Sequence, residues 1–430
     1  MQIKELYQLF LEFPTVCTDT RKLSENCLFF ALKGDNFNGN QFASKAIEEG
    51  AAYAIVDEPN AAISSKCILV PDVLETLQEL ARYHKEKLNI PIIAIVGSNG
   101  KTTTKELIAS VLQTKYKVLS TPGNFNNHIG LPLTLLMLNA EHQIGIIEMG
   151  ANHEKENALL CYIARPTHGL ITNNGKDHLE GFGSLEGVIR SNAELYDYLK
   201  THGGVAFVNG SDKVLLEKSR DLHNRIIYKN AETESVQTEK IFLKASSFQP
   251  NIEFTYQGTQ IKSPLSGDYN FDNILAAVSI GYHFGLNQDQ IKQGIESYEP
   301  QNLRSQIIQK EQNKIFLDAY NANPSSMELS IKNFLAMPGH NKLLCLGDMF
   351  ELGKYEEEEH QNLVDYCQNL GLKDVILVGK AFAKTNSHYL KFEQTQSLAE
   401  YFTANPPQQK FVFLKGSRGM KMESLVEIIS

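Results

Sequence analysis

The chain contains no tryptophan, and its six cysteines (17, 27, 67, 161, 345 and 367) include no Cys-x-x-Cys pair. That spacing argues against a zinc ribbon and a dense disulfide framework. Reduced thiols in a cytoplasm are the simple reading. Long apolar runs are missing too. Runs such as Ile92–Val96 fall far below the ~20 residues a membrane-spanning helix needs, so no stable membrane insertion is expected. Glu5 and Glu12 interrupt the apolar N-terminus, which does not read as a secretory signal. No dense Lys/Arg run occurs and the formal net charge is −9, so neither nucleic acid nor an anionic membrane is an expected partner. There is no fixed-period repeat and no low-complexity tract. The Glu356–Glu359 run reads as a solvated helix face.

What is present is a globular composition. Of 430 residues, 42% are hydrophobic and 21% charged, which excludes a disordered chain. At about 100–200 residues per domain the length allows two to four domains. Ile3, Leu6, Leu9, Phe10 and Phe13 recur at helical spacing and predict an opening amphipathic helix. Leu28–Leu32 and Ala54–Val56 read as buried strands around a helix at Phe42–Glu49. Asn89-Ile-Pro91 reads as a linker. Beyond it, the strand candidates Ile92–Val96, Ile144–Met149, Gly169–Thr172 and Val205–Val208 alternate with helical stretches. The same rhythm returns at Lys314–Asp318, Lys342–Leu346, Asp374–Val378 and Lys410–Leu414. Alternation of this kind predicts doubly wound α/β sheets, whose ligands bind beyond the carboxyl ends of the strands. A boundary is expected near Glu299-Pro300.

The strongest local signal is Gly97-Ser98-Asn99-Gly100-Lys101-Thr102-Thr103, between a strand and a helix. Its backbone N–H groups and the helix N-terminus suit phosphate oxygens. Lys101 would neutralise the terminal phosphates of ATP, and the Thr102 hydroxyl would bind Mg2+. The full motif has a glycine five residues before Gly100, where Ile95 stands, so this is a shortened variant. Glu148, closing the strand at Ile144, suits a magnesium ligand. His178 follows a strand and precedes a glycine-rich stretch. Asn270 and Asn273 share a helix face at i, i+3, where their amides suit an adenine edge. Asp318 begins Asp-Ala-Tyr-Asn-Ala-Asn-Pro324 at a strand end and suits ribose hydroxyls. Each has a purely structural alternative: a tight strand-to-helix turn, a solvated strand end, a core histidine, an N-capped helix or a polar loop.

Over nearly its whole length the chain resembles the Mur ligase family, nearest its MurF branch. In the first part the resemblance rests on Asp19-Thr-Arg-Lys22, Leu28-Phe-Phe-Ala-Leu-Lys-Gly34 and Phe37-Asn-Gly39. In the centre it rests on the phosphate loop, Gly123-Asn-Phe-Asn-Asn-His-Ile-Gly-Leu-Pro132, Glu148-Met-Gly-Ala-Asn-His153 and His178-Leu-Glu-Gly-Phe-Gly183. Toward the end it rests on the Tyr320-Asn-Ala-Asn323 stretch, Leu346-Gly-Asp-Met-Phe-Glu-Leu-Gly353 and Lys415-Gly-Ser-Arg418. The resemblance implies an α/β architecture of three domains: a UDP-sugar-binding domain at 1–88, a central ATP-binding P-loop domain at 89–298 and a Rossmann-like domain at 299–430. It implies an ATP-dependent peptide ligase of cytoplasmic peptidoglycan synthesis, a monomer by family default. The substrates are UDP-N-acetylmuramoyl-tripeptide and D-alanyl-D-alanine, joined through an acyl phosphate. Lys101, Glu148, His178 and Arg304 become the catalytic set. Thr102 and Glu148 hold one magnesium and His178 a second. Arg304 approaches the phosphates on closure. Asn270, Asn273 and Asp318 read the nucleoside. Thr20, Arg21 and Lys22 belong to the UDP-sugar side. Asn124, Asn126 and Asn127 lie near the peptide and phosphate, and Tyr320, Asn321 and Asn323 fall on the substrate side.

One departure stands out. The family's Lys-Gly-Glu context, whose lysine is carbamylated, reads Asn192-Ala-Glu194 here. An amide oxygen is a neutral and weaker ligand than a carbamate. The expectation is ligation with a higher magnesium requirement, or a second site completed by Glu194, an anion or water. The competing readings are a sister ligase with another amino acid (the folate-glutamating type included) and a non-catalytic ATP-binding scaffold. A simple P-loop kinase leaves the first and third domains unexplained.

Overall fold

Ile92–Val96, rich in β-branched residues, is wholly buried and has parallel neighbours on both sides, His168–Ile171 and Ile144–Glu148. Burial on both faces is what a continuous apolar strand requires. The computed structural model describes residues 2–34, 36–300 and 303–429. Its eight-stranded sheet runs Ser235–Gln237, Lys240–Leu243, Arg225–Asn230, Val205–Asn209, His168–Ile171, Ile92–Val96, Ile144–Glu148, Val118–Ser120. Only the hairpin of the first two strands is antiparallel. The order reverses around Ile92–Val96, so the loop after that strand lies at the switch point where such sheets bind ligands. Helices Lys101–Gln113 and Asp268–His283 cover one face with Leu107, Ile108, Val111, Phe271, Ile274 and Val278.

A four-stranded parallel sheet precedes it, in the order Val16–Cys17, Leu28–Phe30, Tyr53–Val56, Cys67–Leu69. The opening helix forms at Ile3–Glu12 and buries Leu6, Tyr7 and Phe10. Helix Val73–Leu88 is capped by Asp72 and stops at Asn89 in the left-handed conformation. His84 on that helix ties three segments together. Its Nε2–H donates to the Leu138 carbonyl at 2.8 Å and its Nδ1 faces the Tyr7 hydroxyl at 3.3 Å. Burial lowers the His84 pKa, which keeps the ring neutral. Asn89–Pro91 is thus a tight helix-to-strand connection rather than a free linker; the Pro91 carbonyl accepts from Gly145 N–H.

The last sheet has six strands, in the order Gln306–Gln309, Lys314–Leu317, Phe411–Lys415, Lys342–Gly347, Val375–Val378, Leu390–Phe392. All are parallel except the first. Phe413 stacks on Phe316 and Phe334 with centroids 5.4 and 5.1 Å away, filling one face. The carboxyl ends of the central and last sheets face one cavity. A three-stranded antiparallel sheet, Ala245–Ser247, Ile252–Tyr256 and Thr259–Ser263, packs Ile252, Phe254, Tyr256 and Ile261 into the core shared with helices Lys101–Gln113 and Asp268–His283. The Glu356–Glu359 run forms the first turn of helix Glu356–Asn369, where carboxylates suit the helix dipole. Glu359 departs from the expected solvated face: it is buried and pairs with Lys176 at 2.6 Å.

Candidate active site

The phosphate loop is held by the loop that follows its neighbouring strand. Strand pairing sets Ile171 beside Val96, so Asn173 arrives next to Ser98. Asn173 accepts from Asn99 N–H at 3.1 Å and donates back to the Asn99 carbonyl at 2.9 Å. Ser98 accepts from Gly175 N–H at 2.8 Å and donates to Asp177. Gly100 ends the loop at φ +81, a left-handed conformation that favours glycine, and opens helix Lys101–Gln113. A Cβ there would press on the Asn273 amide at 2.9 Å. The loop therefore has a fixed shape, with the first amides of a thirteen-residue helix directed outward. Lys101 folds back on this loop, its Nζ donating to the Gly97 and Ser98 carbonyls.

On the other side Ile95 pairs with Glu148, so the carboxylate stands beside the helix's first turn. Glu148 is buried. It accepts from the Thr102 hydroxyl at 3.0 Å and from the Asn126 amide at 3.0 Å. Lys105, one turn beyond Lys101, lies 3.5 Å from Glu148 and donates to the Thr121 carbonyl at 2.8 Å. This buried lysine was missed from the sequence; its only signal was a cation on the buried side of an amphipathic helix. Thr102 and Glu148 are hard oxygen donors in contact, a set that fits magnesium completed by water and substrate phosphates. Among the described residues no group of three or more His, Cys, Asp or Glu side chains could hold a metal ion alone.

A cavity of about 450 Å³ opens over these groups and reaches the last sheet. Its wall includes Ser98–Thr103, Asn124, Asn126, Asn127, Glu148, His178, Asn270, Asn273, Arg304, Asp318 and Tyr320–Asn323. Gly97 lies behind the loop, where a Cβ would collide with Thr172. Thr20, Arg21 and Lys22 do not line this cavity. They form a 3₁₀ turn capped by Asp19, whose carboxylate Arg21 grips at 2.7 Å.

Several amides expected to face a ligand are held by the protein. Asn270 donates to the Ser266 carbonyl at 2.9 Å and accepts from Asn273 at 3.1 Å, while Asn273 accepts from Thr104 at 3.0 Å. Asn127 caps Ile129 and Gly130. Asn323 caps helix Pro324–Ala336 and donates to Asn99 at 2.9 Å, linking the two large sheets. Asp318 accepts from Lys415 at 2.7 Å and Ser330 at 2.6 Å. Burial pushes the Asp318 carboxyl up, but the Lys415 charge and these hydrogen bonds outweigh it and hold its pKa below the ordinary value. Arg304 stacks over Tyr320 at 3.8 Å, with Arg418 on the same ring at 5.5 Å. The Arg304 Nε is buried and has no hydrogen-bond partner among the described residues, while the half-buried side chain lines the cavity and adds a positive charge to it.

The departure at position 192 has a plain geometry. Asn192 is buried and donates to Asn174 at 2.9 Å. Glu194 cannot take its place without breaking helix Glu156–Ala164 from its cap, because its oxygens accept from Lys155 N–H at 2.6 Å and Ala158 N–H at 2.8 Å. His178 meets Glu351 across the cavity at 2.6 Å, a contact the sequence did not announce.

The matching families are the Mur ligase family catalytic domain over residues 12–85, the Mur ligase middle domain over 95–281, and the Mur ligase glutamate ligase domain over 303–418. A Bacillus subtilis UDP-N-acetylmuramoyl-tripeptide–D-alanyl-D-alanine ligase is 34% identical, covering 96% of this chain and 92% of the relative. A MurF crystal structure from Acinetobacter baumannii superposes with a TM-score of 0.86 at 30% identity, over 96% of this chain and 93% of that one. MurF from Thermotoga maritima, in complex with ADP, gives 0.85 at 27% identity, over 97% of each chain. With the phosphate loop, the buried carboxylate and the facing sheet in place, these likenesses lead to one conclusion: the chain belongs to the Mur ligase family, on its MurF branch.

Proposed function

We propose that this chain joins D-alanyl-D-alanine to the free carboxylate of UDP-N-acetylmuramoyl-tripeptide at the expense of ATP, in the cytoplasmic assembly of peptidoglycan precursor. The observation that carries the reading is the single cavity walled by the phosphate loop, Glu148, His178 and, from the facing sheet, Arg304 and Tyr320–Asn323. A ligase of this kind must bring two anions together, and the residues suit that task. The loop amides and Lys101 bind the nucleotide phosphates, once Lys101 leaves the loop carbonyls. Arg304, on the cavity wall, brings a second positive charge toward the same phosphates. Asn270 and Asn273 back the nucleoside end. Thr102 and Glu148 would hold magnesium and His178 a second ion, and the metal would supply charge neutralisation for the transferring phosphoryl group.

The chemistry runs in two balanced steps. A carboxylate oxygen of the tripeptide bonds to the γ-phosphorus and the bond to ADP breaks, giving an acyl phosphate. The dipeptide amine then attacks that carbonyl, loses a proton and expels inorganic phosphate. Tyr320, Asn321 and Asn323 stand on the side from which the amine arrives. Thr20, Arg21 and Lys22 serve the distant UDP-sugar end. We read residues 1–88, 89–298 and 299–430 as the sugar, ATP and Rossmann-like domains, working as a monomer.

The test is phosphate release from ATP with magnesium, UDP-N-acetylmuramoyl-tripeptide and D-alanyl-D-alanine, each omitted in turn. Release that requires both substrates, with the ligated peptide found by mass, is expected. Release with another amine in place of the dipeptide would make the chain a sister ligase. Nucleotide binding without release would make it a scaffold.

A further inference from the structure

Two non-glycine residues in the left-handed conformation face each other across the cavity: His178 at φ +45 and Glu351 at φ +63. Side chains seldom adopt that backbone, and where they do the surroundings must hold it. Here they do. Met349 N–H donates to His360 on helix Glu356–Asn369 at 3.0 Å and Phe350 N–H donates to Ser417, just past strand Phe411–Lys415, at 2.8 Å, so the loop is held by elements of its own side of the cavity. The Glu351 carbonyl then accepts from Glu180 N–H at 3.2 Å, and the Glu351 carboxylate lies 2.6 Å from His178 Nδ1. Gly353, at φ +52, packs against the Glu180 side chain. The contact joins the loop after the last sheet's strand Lys342–Gly347 to the loop after the central sheet's strand His168–Ile171.

We propose that Glu351 is a positioning residue for His178. Its carboxylate accepts the Nδ1–H, fixes the ring orientation and leaves the Nε2 lone pair to act as a ligand or acceptor in the site. A histidine that holds a cation is commonly fixed this way by a carboxylate behind it. In this chain the carboxylate comes from the facing domain, so the histidine is oriented only when the two domains are together. The proposal rests on the ligase reading above for its consequence, but its geometry is independent of it.

The test uses the full chain with Glu351→Ala and Glu351→Gln. The first readout is the ¹⁵N spectrum of histidine-labelled protein without ligands, with the His178 signal assigned by its loss in His178→Gln. The wild type is expected to show the Nδ1-protonated ring, and Glu351→Ala to lose that signature. The second readout is the magnesium midpoint of ligation. It is expected to rise about tenfold or more in Glu351→Ala, within the 10–100-fold range of such partners, with less effect in Glu351→Gln, which keeps an acceptor. KM for ATP at saturating magnesium is expected to hold. Lys176→Met, which removes the Lys176–Glu359 pair between the same domains, serves as the control for loosened closure. It is expected to leave the ring signature and the magnesium midpoint in place. Equal shifts in Lys176→Met and Glu351→Ala would overturn the proposal and make Glu351 a mere domain tie. A rise in activity in Glu351→Gln would also overturn it, by showing that Glu351 restrains His178. Absence of ligation in the wild type with the ring signature intact would count against the ligase reading and not against the pairing.

Discussion

Lys105→Met removes the cation beside Glu148, and the structure sets the cost. Both side chains are only 4% exposed and their charged atoms are 3.5 Å apart. Breaking a buried pair by deleting one partner costs about 3–5 kcal/mol, because the remaining charge is stranded. Thr102 and Asn126 still donate to Glu148, which places the loss near the lower end. About 3 kcal/mol corresponds to a Tm decrease of roughly 6–12 °C for a domain of about 150–250 residues. Replacing both partners, Lys105→Met with Glu148→Gln, strands no charge and should destabilise by less than the sum of the single changes. The assay is thermal unfolding of the four proteins, with and without magnesium and a non-hydrolysable ATP analogue. Magnesium with nucleotide should raise the Tm of Lys105→Met more than that of the wild type, since it restores positive charge at Glu148. Additive losses, or a Lys105→Met Tm within about 2 °C of wild type, would refute the reasoning.

Lys101→Ala should fold normally and lower phosphate release by about 100-fold or more, the scale of one preorganised charge on a transferring group; steady-state kinetics beside circular dichroism checks both halves. Asp318 has a lowered pKa in the fold, so its contribution to stability is present above the unfolded carboxylate value and lost as pH falls through the folded one. Acid unfolding should therefore steepen below about pH 4, and Asp318→Asn should flatten that limb while lowering stability at neutral pH. Asn192→Ala frees the Asn174 amide and should raise the magnesium midpoint of ligation; a wild-type midpoint would remove Asn192 from the site.

The parts of this site that were legible in the sequence are those with local causes. A buried strand, two glycines and a helix start make the phosphate loop readable, and a carboxylate ending the next strand follows from the same period. The opening helix and the eight strands read from apolar runs fall within one or two residues of their expected places for the same reason, whereas the edge strands Val118–Ser120, Ser235–Gln237, Gln306–Gln309 and Leu390–Phe392, and Arg225–Asn230 and Lys240–Leu243 beside them, carry no such run. Tertiary contacts were less visible. Lys105 and Glu359 are buried because of partners 43 and 183 positions away in the chain, at Glu148 and Lys176. Glu351 sits in an aperiodic loop, and its importance comes from a neighbour on another sheet. Asn270 and Asn273 reach the cavity wall as their i, i+3 spacing suggests, but that spacing does not reveal that their amides also bond to each other and to Ser266 and Thr104. The antiparallel sheet at Ala245–Ser263 was passed over, although Ile252, Phe254 and Tyr256 alternate with Glu253 and Thr255 at the period of a strand.

The measurement that bears most directly on the central claim follows oxygen. UDP-N-acetylmuramoyl-tripeptide carrying ¹⁸O in its terminal carboxylate is turned over with ATP, magnesium and D-alanyl-D-alanine, and the small products are weighed by mass spectrometry. Attack of that carboxylate on the γ-phosphorus predicts one ¹⁸O in inorganic phosphate, with ADP unlabelled. Label in AMP, or unlabelled phosphate beside ligated peptide, would contradict an acyl phosphate formed in this cavity.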